Sequence, residues 1–425
     1  MAQLQIWIDK LDRIAEKNYL KAEFQVITPM FIGDGDQKAK SIRPPAIKGA
    51  LRFWWRALNW NRCFEQAGTQ TAALNQLHNE EAAIFGLAAK HGCNGAQLGG
   101  QGVFTLKVTQ KAELMKSWSP GSGTQYLLGQ GLWNYRDKLL REAIATGSRF
   151  AVELAINSGR LEKAAVDLAL DASSIANSID DALLAFGLLG GLGSRARKGL
   201  GAVCVTELHG SRWSVPASAE AYKHVLQQLL EPSVLSSSLP PFSAFSAQSR
   251  LDVSCTGSNA MALLEGVGEE MQMYRSWGQA GKVNGKPAEQ NFREDHDQAL
   301  IASRGDKPSK PPQRSVFGLP HNYFFSSTRG KVDIHVKKGP AGERRSSPLC
   351  IHPHAFADGS CVLVLLLLPA VFLPGDNPML EYKSGRNSFT LPVTKVDWDV
   401  IARFMDRFNS KETVLATKLQ GAHLL

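Results

Sequence analysis

The sequence predicts an α+β fold in which one strand–helix–strand–strand–helix–strand plan occurs twice, each copy with insertions. Two observations predict it. Short segments that alternate apolar and polar residues are separated by longer segments of helical periodicity, in a similar order in both halves. A Ser- and Pro-rich passage, residues 231–241, lies between the two runs. The expected domains are therefore residues 1–230 and 231–425. Strand–helix–strand–strand–helix–strand is the ferredoxin-like order.

In the first half, residues 4–15 are expected to form a short amphipathic helix with Leu4, Trp7, Ile8 and Leu11 on one face. Residues 19–27 alternate as the first strand and run into the loop TPMFIGDGD at 28–36. The first core helix follows at 46–60, entered through Pro44 and Pro45, which suit a first helical turn. Residues 103–108 and 150–156 are the second and third strands, 180–189 the second helix and 202–208 the fourth strand. In the second half, 247–254 is a strand and 260–277 a helix carrying Leu263, Met271 and Tyr274. Strands follow at 331–336, 347–352 and 361–368, and a last helix at 398–409. The stretch 278–313 is rich in Gly, Lys and Pro with few apolar groups, and is expected to be a mobile loop.

The formal charge of +9 and pI near 9.2 favour anionic partners. Six scattered cysteines without a CxxC pair point away from a disulfide scaffold or zinc site and toward a reducing cytoplasm. No signal-peptide pattern is expected at the start, and the longest apolar run, 362–372, is too short to span a bilayer and reads as a buried strand.

Positive charge concentrates in residues 37–64, which hold Lys38, Lys40, Arg43, Lys48, Arg52, Arg56 and Arg62 and no acid. Lys48, Arg52 and Arg56 recur every four residues beside an apolar stripe of Ile47, Ala50, Leu51, Trp54 and Leu58. At about 1.5 Å rise per residue the three lie roughly 6 Å apart, near the spacing of backbone phosphates. Trp55, beside the row, either stacks a base or packs inside. A second candidate is the glycine-rich stretch 186–205, in which Gly193, Ser194, Arg195, Arg197 and Lys198 combine close backbone approach with cations. Its other reading is a tight helix-to-strand connection. Lys337, Lys338, Arg344 and Arg345 form a third basic cluster. No Walker-type loop, G-x-S-x-G or HExxH occurs.

The ordered motifs ITPMFIGDGDQ, IRPPAIKGALRFWWRAL, EEAAIFG, YLLGQGL, GGLGSRARKGLG, NFREDHD, SVFGLPHNY and RRSSP resemble those of the RAMP superfamily, and specifically the Cmr-type capping subunit of type III-B CRISPR effector complexes. The resemblance implies two tandem ferredoxin-like, RRM-like domains with the glycine-rich loop near bound RNA. It also implies a non-catalytic role, with guide CRISPR RNA, complementary target RNA and other Cmr-type subunits as partners and no cofactor. The protein would then read backbone and shape, and base pairing would read sequence.

Two alternatives are enzymatic, and a third is a structural adaptor that docks neighbouring subunits. Asp34 and Asp36 are ordinary turn residues, but related backbone subunits use an aspartate in the comparable loop for metal-dependent RNA cleavage. His352 and His354, with His296 and His321, are the candidates for metal-independent acid–base cleavage. On one strand the rings of His352 and His354 share a face, which also suits weak metal binding. A third ligand at zinc-like spacing is not evident, and no metal is expected. Arg293, Asp295 and His296 are read as pinning a loop.

Overall fold

The computed structural model describes residues 18–33, 35, 38–39, 41–91, 97–278, 280–325, 328–337, 344–373, 375, 377–408, 412–415 and 423–424. The expected helix at 4–15, together with Asp34, Asp36, Lys40 and Lys338, lies outside them.

The first unit comprises β1 (Tyr19–Val26), α1 (Pro44–Ala67), α2 (Gln70–Phe85), β2 (Phe104–Lys111), α3 (Ser122–Leu128), β3 (Arg149–Ile156), α4 (Ala172–Leu189) and β4 (Val203–His209). Its sheet runs β2-β3-β1-β4, all antiparallel, which is the ferredoxin-like arrangement. α2 and α3 are insertions. α1 begins on two prolines and stops at Gly68, whose φ of 72° is left-handed; Thr69 then caps α2 through its hydroxyl.

The second unit comprises β5 (Arg250–Gly257), α5 (Ala260–Arg275), α6 (Arg293–Ser303), β6 (His321–Phe325), β7 (Gly330–Val336), β8 (Leu349–Ala355), β9 (Cys361–Leu367), β10 (Met379–Ser384), β11 (Asn387–Pro392), α7 (Asp399–Met405) and β12 (Glu412–Leu415). The sheet β8-β9-β5-β12 repeats the first topology, strand for strand. The strand expected at 331–336 forms, but in a separate inserted sheet, β6-β7-β10-β11.

The expected mobile loop at 278–313 is corrected, because α6 occupies its middle. Few apolar groups suffice there: Phe292, Ala299 and Ala302 are buried, and the Asp295 carboxylate accepts the N–H groups of Gln313 and Arg314 at 2.9 and 2.8 Å. His296 stacks on Trp277 at 3.8 Å between ring centroids.

Beneath the first sheet, the ring of Phe24 packs 5.1 Å from those of both Phe150 and Phe186. Trp54, Trp55 and Trp60 of α1 are buried in the same core. β9 is buried along its whole length. Val362, Val364 and Leu366 join the first core, whereas Leu363, Leu365 and Leu367 join a second core with α5, α6 and α7. A strand of period two thus serves two cores at once.

Candidate nucleic-acid interface

Helix α1 does not present its cations as one free row. Arg56 donates to both carboxylate oxygens of Glu81, at 2.9 and 3.0 Å, and Nε of Arg52 lies 3.5 Å from the same group. Arg52 also donates to the Gly86 carbonyl, and Arg62 pairs with Glu80. Both acids are buried residues of α2. The expected track of Lys48, Arg52 and Arg56 along consecutive phosphates is therefore corrected, since two of the three already face a countercharge. The row also divides between two clefts. Lys48 and Arg52 line a groove of about 510 Å³ with Phe85, Phe104 and Arg160, and burial together with the Arg52 charge lowers the Lys48 pKa. Arg56 lines another cleft. Arg43 stays exposed at the helix start, donating to the Gly33 carbonyl at 3.3 Å.

Trp55 stacks no base. It is 0% exposed, and its Nε1–H donates to the Ser178 hydroxyl at 2.9 Å. At helical spacing it falls on the face that packs against α4.

The cleft that receives Arg56 encloses about 460 Å³ and is lined also by Phe53, Arg197, Phe242, Arg344, Arg345 and Trp398. It gathers cations from the first helix, the glycine-rich loop and the second half. Among the described residues no carboxylate lines it, and none of Arg197, Arg344 and Arg345 forms an ion pair. Arg197 donates to the Ser347 carbonyl at 2.8 Å and the Ser243 hydroxyl at 3.2 Å, with its guanidinium 5.2 Å from the Phe53 ring centre. These contacts orient the fork without neutralising it. The Arg345 backbone is paired with that of Leu319, its Nε is buried without a partner, and burial lowers its pKa. Arg344 is exposed beside it. Planar guanidinium groups around an open cleft suit bidentate contact with phosphate oxygens. Lys337 is exposed at the end of β7 and is not among the cleft residues.

The glycine-rich loop docks chain against chain. The amide of Ser194 donates to the Phe31 carbonyl at 2.9 Å, so it is not offered to a ligand as the sequence suggested. Gly193 has φ 85°, and a Cβ there would sit 2.5 Å from that same carbonyl oxygen. Only glycine fits. The amide of Ile351 in β8 donates to the Arg197 carbonyl at 2.9 Å, tying the loop to the second sheet. Arg195 is itself at φ 67°, and its Nε donates to the Leu128 carbonyl at 2.9 Å.

Lys198 leads to a cluster that sequence reasoning missed. Burial, then the charges of Arg275 and Arg195, pulls its pKa down to about 7. Arg275 ends α5, with its guanidinium 4.7 Å from the Phe317 ring centre and Nε buried without a partner. Arg314 donates to the Arg275 carbonyl at 2.6 Å and lies over Tyr323 at 4.8 Å. His321 is buried with both ring nitrogens unpartnered, and burial followed by Arg314, Arg275 and Lys198 drives its pKa well down. Asp295 is the acid near Arg314. The signal for this cluster was thin: Lys198 and Arg275 are far in sequence from each other and from the neighbouring Arg314 and His321.

The histidine candidates for catalysis are corrected. His352 and His354 are 3% and 1% exposed, so no RNA reaches them, and burial lowers the His352 pKa to about 3. Among the described residues no helix is long and apolar enough to cross a membrane.

Fold and cleft together define a tandem ferredoxin-like α+β protein with an arginine-lined surface. Residues 23–204 match the family model of the RAMP superfamily. Its structure is similar to that of apo Cmr1 from Pyrococcus furiosus, with 16% identity over 93% of this chain and 98% of that chain and a TM-score of 0.51. It is also similar to a chain of the type III-B Cmr-beta complex bound to cognate target RNA and AMPPnP in the presence of ssDNA, at 11% identity, 91% and 98% coverage and TM-score 0.46. A Cmr-beta complex bound to cognate target RNA gives 11%, 92%, 98% and 0.45. No curated protein matches the sequence.

Proposed function

We propose that this chain is an RNA-binding, non-catalytic subunit of a type III-B CRISPR effector complex, holding the 3′ region of the guide RNA and helping to capture complementary target. One observation carries the reading: Arg197, Arg344 and Arg345 converge with Arg56 on a cleft that no described carboxylate lines. Phe53 and Trp398 give that cleft an aromatic floor. The RAMP-superfamily match over residues 23–204 and the fold shared with Cmr1 support the assignment to a CRISPR complex. The protein grips ribose-phosphate and leaves sequence to base pairing.

The test is titration of guide-length single-stranded RNA by fluorescence anisotropy. Arg197→Glu, Arg344→Glu and Arg345→Glu combined should abolish binding with thermal unfolding unchanged; undiminished affinity rejects the cleft. RNA incubated with the isolated chain and magnesium should stay intact. Cleavage products lost on Asp34→Asn and Asp36→Asn would make it the nuclease instead.

A further inference from the structure

Three side chains with no part in RNA binding meet in the seam between the two ferredoxin-like sheets. Cys204 lies on β4, and His352 and His354 lie on β8. Their donor atoms all fall within 4.8 Å of one another. Sγ of Cys204 is 3.3 Å from Nδ1 of His354, and Nε2 of His352 is 3.3 Å from the same nitrogen. In a tetrahedral zinc site with bonds of about 2.3 Å to sulfur and about 2.0 Å to nitrogen, neighbouring ligand atoms stand roughly 3.3 to 3.5 Å apart. The two separations that involve His354 match those edges, and the third lies within 4.8 Å.

Hydrogen bonding explains the trio poorly. Nδ1 of His354 faces two partners, and one ring proton bridges it at full strength to only one. The Ala355 amide already donates to the sulfur at 3.2 Å, as amides do toward a thiolate. The ring of Tyr222 covers His354, with centroids 4.4 Å apart.

We propose that Cys204, His352 and His354 bind a zinc ion that staples the first sheet to the second. One thiolate and two imidazoles are the donor set of a borderline divalent cation, and the thiolate offsets half of its charge. Three protein ligands leave one position, which water fills in sites of this kind. Because the site is sealed, the ion enters as the chain folds.

The experiment measures zinc in wild-type chain produced in zinc-supplemented medium, alongside Cys204→Ser and His354→Asn, and records cobalt spectra after refolding with cobalt. The expected result is about one zinc per chain in wild type and roughly tenfold less in each variant, with a near-ultraviolet thiolate-to-cobalt band that Cys204→Ser abolishes. Wild-type chain that folds without zinc and shows no thiolate band with cobalt overturns the proposal. So does zinc retained in full by both variants. If the variants fail to fold, the wild-type cobalt spectrum decides alone: the band supports the site, and its absence rejects it.

Discussion

Alanine at Arg197, Arg344 and Arg345, singly and together, gives the cleft a quantitative test. Each of these guanidinium groups faces the cleft without a carboxylate, whereas Arg56 is held by Glu81. Three unneutralised charges on a single strand contribute roughly 0.7 each to the slope of log affinity against log salt, about 2 in all. Between about 50 and about 200 mM salt, a slope of that size alone weakens binding roughly 20-fold. The triple variant should lose that share of the salt dependence, and each single variant about a third of it. Fluorescence anisotropy with labelled single-stranded RNA across a salt series reads the slopes. Lys107→Ala is the control, since this exposed lysine pairs with Glu153 on the first sheet. A triple variant with the wild-type slope, or a control that changes it as much, would refute the reasoning.

Glu81→Gln should steepen the salt slope by about 0.7 by releasing Arg56 into the cleft, while urea unfolding shows a loss of about 1 to 3 kcal/mol from the broken pair. Trp55→Ala should cost about 3 to 5 kcal/mol in urea unfolding, as a fully buried indole is removed; RNA affinity of the remaining folded protein should be unchanged, and a selective loss of binding would show that the ring touches RNA. Lys198 binds its proton less tightly when folded, at about 7 against the ordinary 10.5, so the unfolded chain carries more protons between those values. Stability should therefore rise with pH from about 7 toward 10 relative to Lys198→Met, and parallel pH profiles of the two proteins would contradict it.

Much of the scaffold was legible because both units express their strands as period-two alternation and their helices as longer apolar stripes. Alternation identifies a strand but not its neighbour, which is why 331–336 was read as a core strand when β7 pairs with β6 and β10. The helix in 278–313 escaped because its anchor is a carboxylate on backbone amides and not an apolar stripe. The cations of α1 were read at the right spacing and the wrong freedom. Their window holds no acid, yet Glu80 and Glu81 return on the next helix to meet them. Arg197, Arg344 and Arg345 were each visible as local clusters, while their meeting in one cleft depends on the loop's bond to Ile351. Cys204 was invisible as a partner of His352 and His354 because 150 residues separate it from His354.

The doubly covered strand β9 has a consequence for handling the protein. Cutting the chain near residue 230 would strip the lining from Val362, Val364 and Leu366 on one fragment and leave the partner core of the other unroofed. Each piece would then present a greasy wall to water, so separately expressed halves should precipitate or recombine, and intact chain should melt in a single step.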